Sequence, residues 1–298
     1  MLLEVAGKPG SQEWSSRPLG VLVEGPPDPS GRQLLDECVG RYDGASVTGS
    51  SGNRAERAAK RAADPQNLIW VMPAEEGVSN GVIVVVAGGD PPDPESALAV
   101  PLGARVIAAD RGLEHALALG LDVEIAVGDF DSASPDAVAR AEASGTRIER
   151  HPAEKDATDL ALALDAALAL GPERILVLAG DGGRLDHLLS TLLLLGSSRY
   201  ETVEIDAFVG PARVHVVRQE RAIEGSVGEL VSLLAVHGPA EGVRTEGLAY
   251  PLEGETLEPG SSRGVSNVFA VATARISLER GVLLVVRPAV SPDGSKWL

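Results

Sequence analysis

Val123-Glu-Ile-Ala-Val-Gly-Asp-Phe-Asp-Ser-Ala-Ser134 is an apolar run of strand length that closes on a glycine and two carboxylates, Asp129 and Asp131. In extended backbone, residues i and i+2 point to the same side, so both carboxylates can converge on one cation. Hard cations such as Mg2+ prefer carboxylate oxygens, which makes this strand end a candidate site for a metal holding phosphates. A polar turn in which Asp131 or Ser132 caps the following helix fits the same residues.

The pattern around this stretch decides the fold class. From Gly81 onward, apolar segments of strand length alternate with helical ones, as in a parallel sheet with flanking helices, a Rossmann-like α/β arrangement. The expected strands are Val82–Ala87, Arg105–Ala109, Val123–Val127, Arg147–Arg150 and Arg174–Ala179. The expected helices lie near Glu95–Ala99, Leu113–Leu119, Pro135–Ala143, Thr158–Leu170 and Leu185–Leu195. After about Tyr200 helical periodicity stops. Val203–Val209, Val214–Val217, Leu230–Val236, Val268–Ile276 and Val282–Val286, separated by Gly and Pro turns, read as an antiparallel β sandwich or barrel. The expected organisation is an irregular N-terminal extension over 1–80, an α/β domain over 81–197, a β domain over 198–288 and a polar tail over 289–298. Within the extension, Leu19–Val23 and Leu68–Met72 are candidate strands and Arg54–Ala63 a candidate helix; the remainder is broken by Pro-Gly, Pro-Pro-Asp-Pro and Thr-Gly-Ser-Ser-Gly, so partial disorder is expected.

A chain of 298 residues has room for two ordinary domains. Its formal net charge of -17 argues against nonspecific nucleic-acid binding and against an anionic membrane surface, both of which need excess Lys and Arg. Cys38 is the only cysteine, which leaves no intrachain disulfide and no thiolate metal cluster. Met1–Gly10 carries an early acid and no apolar core of signal-peptide length, and the Leu-rich runs at 160–170 and 188–195 are too short to span a bilayer. A cytoplasmic protein is expected.

Three further polar segments fall after strands or at helix starts, where ligands bind in open α/β sheets. Ala108-Ala-Asp-Arg-Gly112 puts Asp110 at a strand end, where helix capping is the competing explanation. Lys155-Asp-Ala-Thr-Asp-Leu160 opens a long apolar helix. Asp156 or Thr158 as the cap with Asp159 in the first turn is a complete structural account of the acids, but it leaves Lys155 unexplained. A Lys there suits a phosphate, with Asp159 placed to orient or deprotonate a hydroxyl nucleophile. Gly180-Asp-Gly-Gly-Arg-Leu-Asp-His187 follows another strand; Gly182 and Gly183 allow close backbone approach to phosphate oxygens, and Arg184 adds a fork-shaped donor. A tight turn explains those glycines but not Arg184, Asp186 and His187 together. No Walker A lysine loop is present, so a nucleotide would be held another way.

In this order the motifs resemble the thiamine pyrophosphokinase (thiamine diphosphokinase) family. The resemblance rests on Asp110 in an Ala-Asp-Gly-Gly-like segment, Gly128–Ser132, Lys155–Leu160 and Gly182–His187, then on Gly228-Glu-Leu-Val-Ser-Leu-Leu234, Gly247-Leu-Ala-Tyr-Pro-Leu252 and Gly264-Val-Ser-Asn267. It covers about Gly81 to Val286. It implies an α/β catalytic domain followed by a β-sandwich, a homodimer with thiamine bound between domains of different subunits, and transfer of the diphosphoryl group of Mg-ATP to thiamine with release of AMP. By the same resemblance Asp110, Asp129 and Asp131 form the Mg2+ and phosphate site. Lys155 and Arg184 lie by the phosphates, Thr158 and Asp159 by the thiamine hydroxyl, and Ser266 and Asn267 by the pyrimidine ring. Arg111 departs from the family, standing where a glycine is usual; its side chain is then available to a phosphate. The 80-residue extension has no counterpart in the pattern. A pterin diphosphokinase, a phosphatase using Asp129 as nucleophile, and a non-catalytic thiamine or nucleotide binding protein are the competing readings.

Overall fold

Strands Val82–Val86 (β1), Arg105–Ala109 (β2), Ile125–Gly128 (β3) and Arg174–Ala179 (β5) are buried along almost their whole length, because each is covered on both faces by helices. In this computed structural model the structure describes residues 81–288. The remaining elements of the first half are Arg147–Arg150 (β4) and the helices Gly112–Ala118 (α1), Pro135–Ala143 (α2), Asp159–Ala169 (α3) and Leu185–Leu195 (α4). The segment expected as a helix near Glu95–Ala99 is a short 3-10 helix, Pro94–Ala99, with the Asp93 side chain accepting from the Glu95 N–H. The candidate strands and helix of the N-terminal extension, and the tail from 289, lie outside the described residues.

Alternation within each strand divides the core. Ile83 and Val85 join α3 residues such as Leu160 and Leu164, and Leu195 of α4, whereas Val84 and Val86 join Leu113 and Ala116 of α1 and Val138 and Ala141 of α2. The β strands of the second half are Glu204–Val209 (β6), Ala212–Val217 (β7), Glu220–Glu224 (β8), Leu230–Ala235 (β9), Ala240–Glu246 (β10), Glu253–Leu257 (β11), Asn267–Val268 (β12), Thr273–Ser277 (β13) and Leu283–Arg287 (β14). One ten-stranded sheet runs β12-β9-β14-β7-β6-β5-β1-β2-β3-β4, and a second, antiparallel sheet runs β11-β10-β13-β8. Val217, Val231, Leu233, Leu283 and Val285 of the large sheet face Ile223, Val243, Leu257, Ala274 and Ile276 of the small one, which makes the second half a two-layer β structure.

Three expectations change. Val203–Val209, expected with the antiparallel strands, pairs parallel to β5, because α4 carries the chain over as a crossover helix. Hydrogen bonding therefore runs on through the region near Leu195–Glu201, where a boundary is expected and where a 3-10 turn, Ser198–Tyr200, links α4 to β6. Val268–Ile276 is two strands: β12 pairs with β9 in the large sheet, and β13 pairs with β8 and β10 in the small one. The chain changes sheets between them, with Ala270 N–H bonded to the Gly247 carbonyl at 2.9 Å. Finally, β8, β10 and β11 are additional strands not anticipated from the sequence.

Candidate functional site

The strand ends of β2 and β3 place three carboxylates together. Asp110, immediately after β2, takes a left-handed backbone (φ 48°) and donates its N–H to the Val127 carbonyl at 2.8 Å. This close approach requires Gly128: a Cβ there would stand 3.1 Å from the Asp110 Cα. Ser132 Oγ donates to Asp110 Oδ2, while Asp110 Oδ1 is buried with no hydrogen-bond partner among the described residues. Asp129 Oδ1 accepts from the Asp131 N–H at 3.1 Å, and Phe130 between them is turned into the core by a positive φ of 60°. Oxygens of Asp110, Asp129 and Asp131 lie within 4.8 Å of one another.

Lys155 bridges this group to the start of α3. Its Nζ lies 3.0 Å from Asp129 Oδ2 and 2.9 Å from Asp159 Oδ1. Burial works against the lysine's charge, but Asp159 and Asp129 outweigh it and hold its pKa above the ordinary value. Asp129 is held below the usual carboxylate range by the Asp131 N–H and then by Lys155. Asp131 is pushed up, chiefly by the negative charge of Asp129, then by burial and Asp110. A divalent cation fits this set: three hard oxygen donors converge, one of them buried without a partner, and their mutual repulsion is what a bound Mg2+ would relieve.

The capping readings separate cleanly. Thr158 is the N-cap of α3, its Oγ1 accepting from the Ala161 N–H at 3.2 Å. Asp110 and Asp131 cap nothing: the N-cap positions of α1 and α2 are Arg111 and Ser134, without side-chain cap bonds. Ser132, the other candidate cap, clamps Asp110 instead. Arg111 donates from Nε to the Ser132 carbonyl at 3.0 Å, tying the β3–α2 loop to the start of α1.

The other predicted residues are not bonded to the carboxylate group. Gly182 and Gly183 precede α4, Arg184 is its N-cap, and Arg184 pairs with Asp186 at 2.6 Å in an exposed ion pair that draws the Asp186 pKa down to about 2. His187 is exposed in the first turn. Among the described residues no hydrogen bond or ion pair links this group to Asp110, Asp129 or Asp131. In the β half, Ser266 adopts a left-handed conformation and its N–H donates to Ser232 Oγ at 3.1 Å. Asn267 is 3% exposed and its amide is bonded to backbone: Nδ2 donates to the Tyr250 carbonyl at 2.7 Å, and Oδ1 accepts from the Tyr250 and Val268 N–H groups. It fixes the backbone of Tyr250, whose ring is exposed.

Two features were missed by sequence reasoning. Arg150, at the end of β4, stacks its guanidinium 5.3 Å from the Phe130 ring centre. The loop Gly88-Gly89-Asp90 after β1 faces the Gly180–Gly183 loop, and the repeat of a strand followed by glycines and an acid was its available signal.

Comparison with known proteins agrees with this architecture. The family described as "Thiamin pyrophosphokinase, catalytic domain" matches residues 103–206, and "Thiamin pyrophosphokinase, vitamin B1 binding domain" matches 213–283. The thiamine pyrophosphokinase of Bacillus subtilis (strain 168) is 29% identical over 183 residues, covering 61% of this chain and 86% of that protein. The crystal structure of the thiamine pyrophosphokinase from Bacillus subtilis superposes with a TM-score of 0.62 at 26% identity, over 70% of this chain and 99% of the other. That from Geobacillus thermodenitrificans gives 0.61 at 28% identity, over 71% and 99%. A parallel sheet with flanking helices, joined to an antiparallel two-layer β unit, is thus an architecture shared with known thiamine pyrophosphokinases. The chain belongs to the thiamine pyrophosphokinase family.

Proposed function

We propose that this chain transfers the diphosphoryl group of ATP to the hydroxyl of thiamine, forming thiamine diphosphate and AMP. The observation that carries this reading is the convergence of Asp110, Asp129 and Asp131, bridged by Lys155 to Asp159. The thiamine oxygen attacks the β-phosphorus, the bond from that phosphorus to the α–β bridging oxygen breaks, and AMP leaves with that oxygen. Asp110, Asp129 and Asp131 would hold Mg2+, which supplies charge neutralisation on the phosphates. Ser132 keeps Asp110 turned toward the cation. Asp159 orients the thiamine hydroxyl and accepts its proton, and Lys155 stays charged beside the phosphates. Gly182, Gly183, Arg184, Asp186 and His187 border the nucleotide; Arg184 reaches a phosphate by exchanging Asp186 for it. Thr158 holds the start of α3 under the thiamine hydroxyl. Ser266 offers its hydroxyl to the pyrimidine ring, and Asn267 supports that site through Tyr250.

The match of the vitamin B1 binding family to the β half favours thiamine over a pterin alcohol. Purified protein incubated with ATP, Mg2+ and each alcohol is expected to release AMP with thiamine only. AMP formed with a hydroxymethylpterin and none with thiamine would overturn the assignment.

The active unit proposed is a cytoplasmic homodimer. α4 turns Leu185, Leu189 and Leu193 outward, 68, 51 and 47% exposed, and Leu189 and Leu193 line an open surface groove with Ser190, Leu194 and His237. An apolar stripe of this kind on a helix of one copy suits the same stripe on another. Among the described residues no helix is long and apolar enough to cross a membrane. Sedimentation of the wild type is expected to give a dimer, and Leu189→Arg to shift it to monomer; an unchanged dimer in that variant would place the interface elsewhere.

A further inference from the structure

We propose that Asp90 is a specificity-determining residue that recognises the ribose hydroxyls of the nucleotide; this rests on the ATP-dependent reading above. The chain runs from β1 through β2 and β3 to β4 in one direction, then returns to place β5 on the other side of β1. Beyond the carboxyl ends of β1 and β5 the connections diverge, and this is where an open α/β sheet opens a ligand crevice. Two loops border it, Gly88-Gly89-Asp90 after β1 and Gly180-Asp181-Gly182-Gly183 after β5.

Asp90 lies directly against the glycines of the second loop. A Cβ on Gly180 would stand 2.5 Å from the Asp90 carbonyl oxygen, one on Gly182 would stand 2.2 Å from Asp90 Oδ2, and one on Gly183 would stand 3.2 Å from Oδ1. The glycines therefore make room for this side chain. The loop that carries Asp90 is held from behind by His115 of α1, whose Nε2 lies 2.9 Å from the Gly89 carbonyl oxygen. Asp181, the other acid of the crevice, points away toward Gly210 at the end of β6. The Asp90 carboxylate is exposed, and it has no hydrogen-bond or ion-pair partner among the described residues.

Charge then decides what it faces. A free carboxylate against Gly182 and Gly183 repels a phosphate, so the backbone of the glycine loop is a poor cradle for the triphosphate, and only the long Arg184 side chain beyond it reaches toward one. The phosphates are drawn instead to the neighbouring ends of β2 and β3, where Lys155 and the cation-ready carboxylates lie. The nucleoside end of the same molecule is left over β1 and β5. A carboxylate there accepts hydrogen bonds from neutral donors, and the vicinal ribose hydroxyls offer two, matched to its two oxygens.

The experiment compares ATP, 2′-deoxy-ATP, 3′-deoxy-ATP and ITP in the thiamine-dependent AMP assay, with Mg2+-nucleotide binding followed by calorimetry without thiamine. Wild type is expected to bind at least one deoxy analogue about tenfold or more weakly than ATP, with ITP close to ATP. Asp90→Asn and Asp90→Ala are expected to raise KM for ATP on the order of tenfold, with a smaller change in kcat, and to bring the deoxy analogues level with ATP. Wild-type KM and wild-type ribose discrimination in both variants would overturn the inference, as would a wild type indifferent to both hydroxyls or one that discriminates only against ITP. Failure of the functional reading is separable: ATP would then bind with ribose discrimination but yield no thiamine diphosphate.

Discussion

Asp131→Asn is expected to fold normally and to lose turnover by on the order of 10²-fold or more, with part of the loss recovered at high Mg2+ concentration. Replacing even an outer-shell partner of a metal costs ~10–100-fold, and a direct donor is expected to cost at least as much. The fold should tolerate the change, because the Asp131 side chain is exposed and the bond that shapes the loop, from its N–H to Asp129 Oδ1, is kept in the variant. The substitution also relieves the repulsion from Asp129 that pushes the Asp131 pKa up, so a purely structural role predicts a variant at least as stable as wild type and equally active. Asp129→Asn is expected to lose as much turnover with less recovery by Mg2+, because it also weakens the hold on Lys155. Steady-state rates across a Mg2+ titration, with melting curves as the control for folding, decide between these outcomes. Wild-type rates in both variants would remove the metal role.

How far the sequence could be read follows from which interactions are local. β1, β2, β3 and β5 are legible because strands covered on both faces need continuous apolar residues, and Val82–Val86 or Arg174–Ala179 carry little else. β8, β10 and β11 escape because each shows one face to solvent. Glu220, Ala222 and Glu224 flank the lone buried Ile223, and β10 and β11 carry register shifts that break the alternation. β12 and β13 read as one strand because nothing local marks the change of sheet.

The site divides in the same way. Asp129 and Asp131 are legible as two acids at a strand end, but extended alternation is not what joins them: β3 ends at Gly128 and Phe130 is left-handed, so a turn brings the two carboxylates together, while Thr158 is legible from its capping position. That Ser132 clamps Asp110, that Lys155 reaches Asp129 across 26 residues, and that the Asn267 amide holds Tyr250 depend on which strand lies beside which. The residue types signal polar chemistry at these positions; only the tertiary pairing says whether the partner is a ligand or the backbone.

Lys155→Met tests the bridge itself and is expected to lower kcat on the order of 10²-fold, the usual effect of removing one preorganised charge from a reacting phosphate. Met keeps most of the apolar stem of this largely buried side chain, so the change isolates the ammonium. Without it Asp129 and Asp159 face each other with no cation between them, and Asp159 is no longer held in the position from which it meets the thiamine hydroxyl. The carboxylates that hold the metal remain, so Mg2+ binding should persist. The loss should therefore differ in kind from that of Asp131→Asn: a fall in kcat that added Mg2+ does not repair, against one that it partly does. Lys155→Arg is expected to recover only part of the rate, because a planar fork cannot direct its charge at Asp129 and Asp159 along the same two lines as an ammonium. Recovery of Lys155→Met by excess Mg2+ would show instead that Lys155 serves only to place Asp129 for the metal, and equal rates in wild type and Lys155→Met would show that the cation alone neutralises the transferred phosphate.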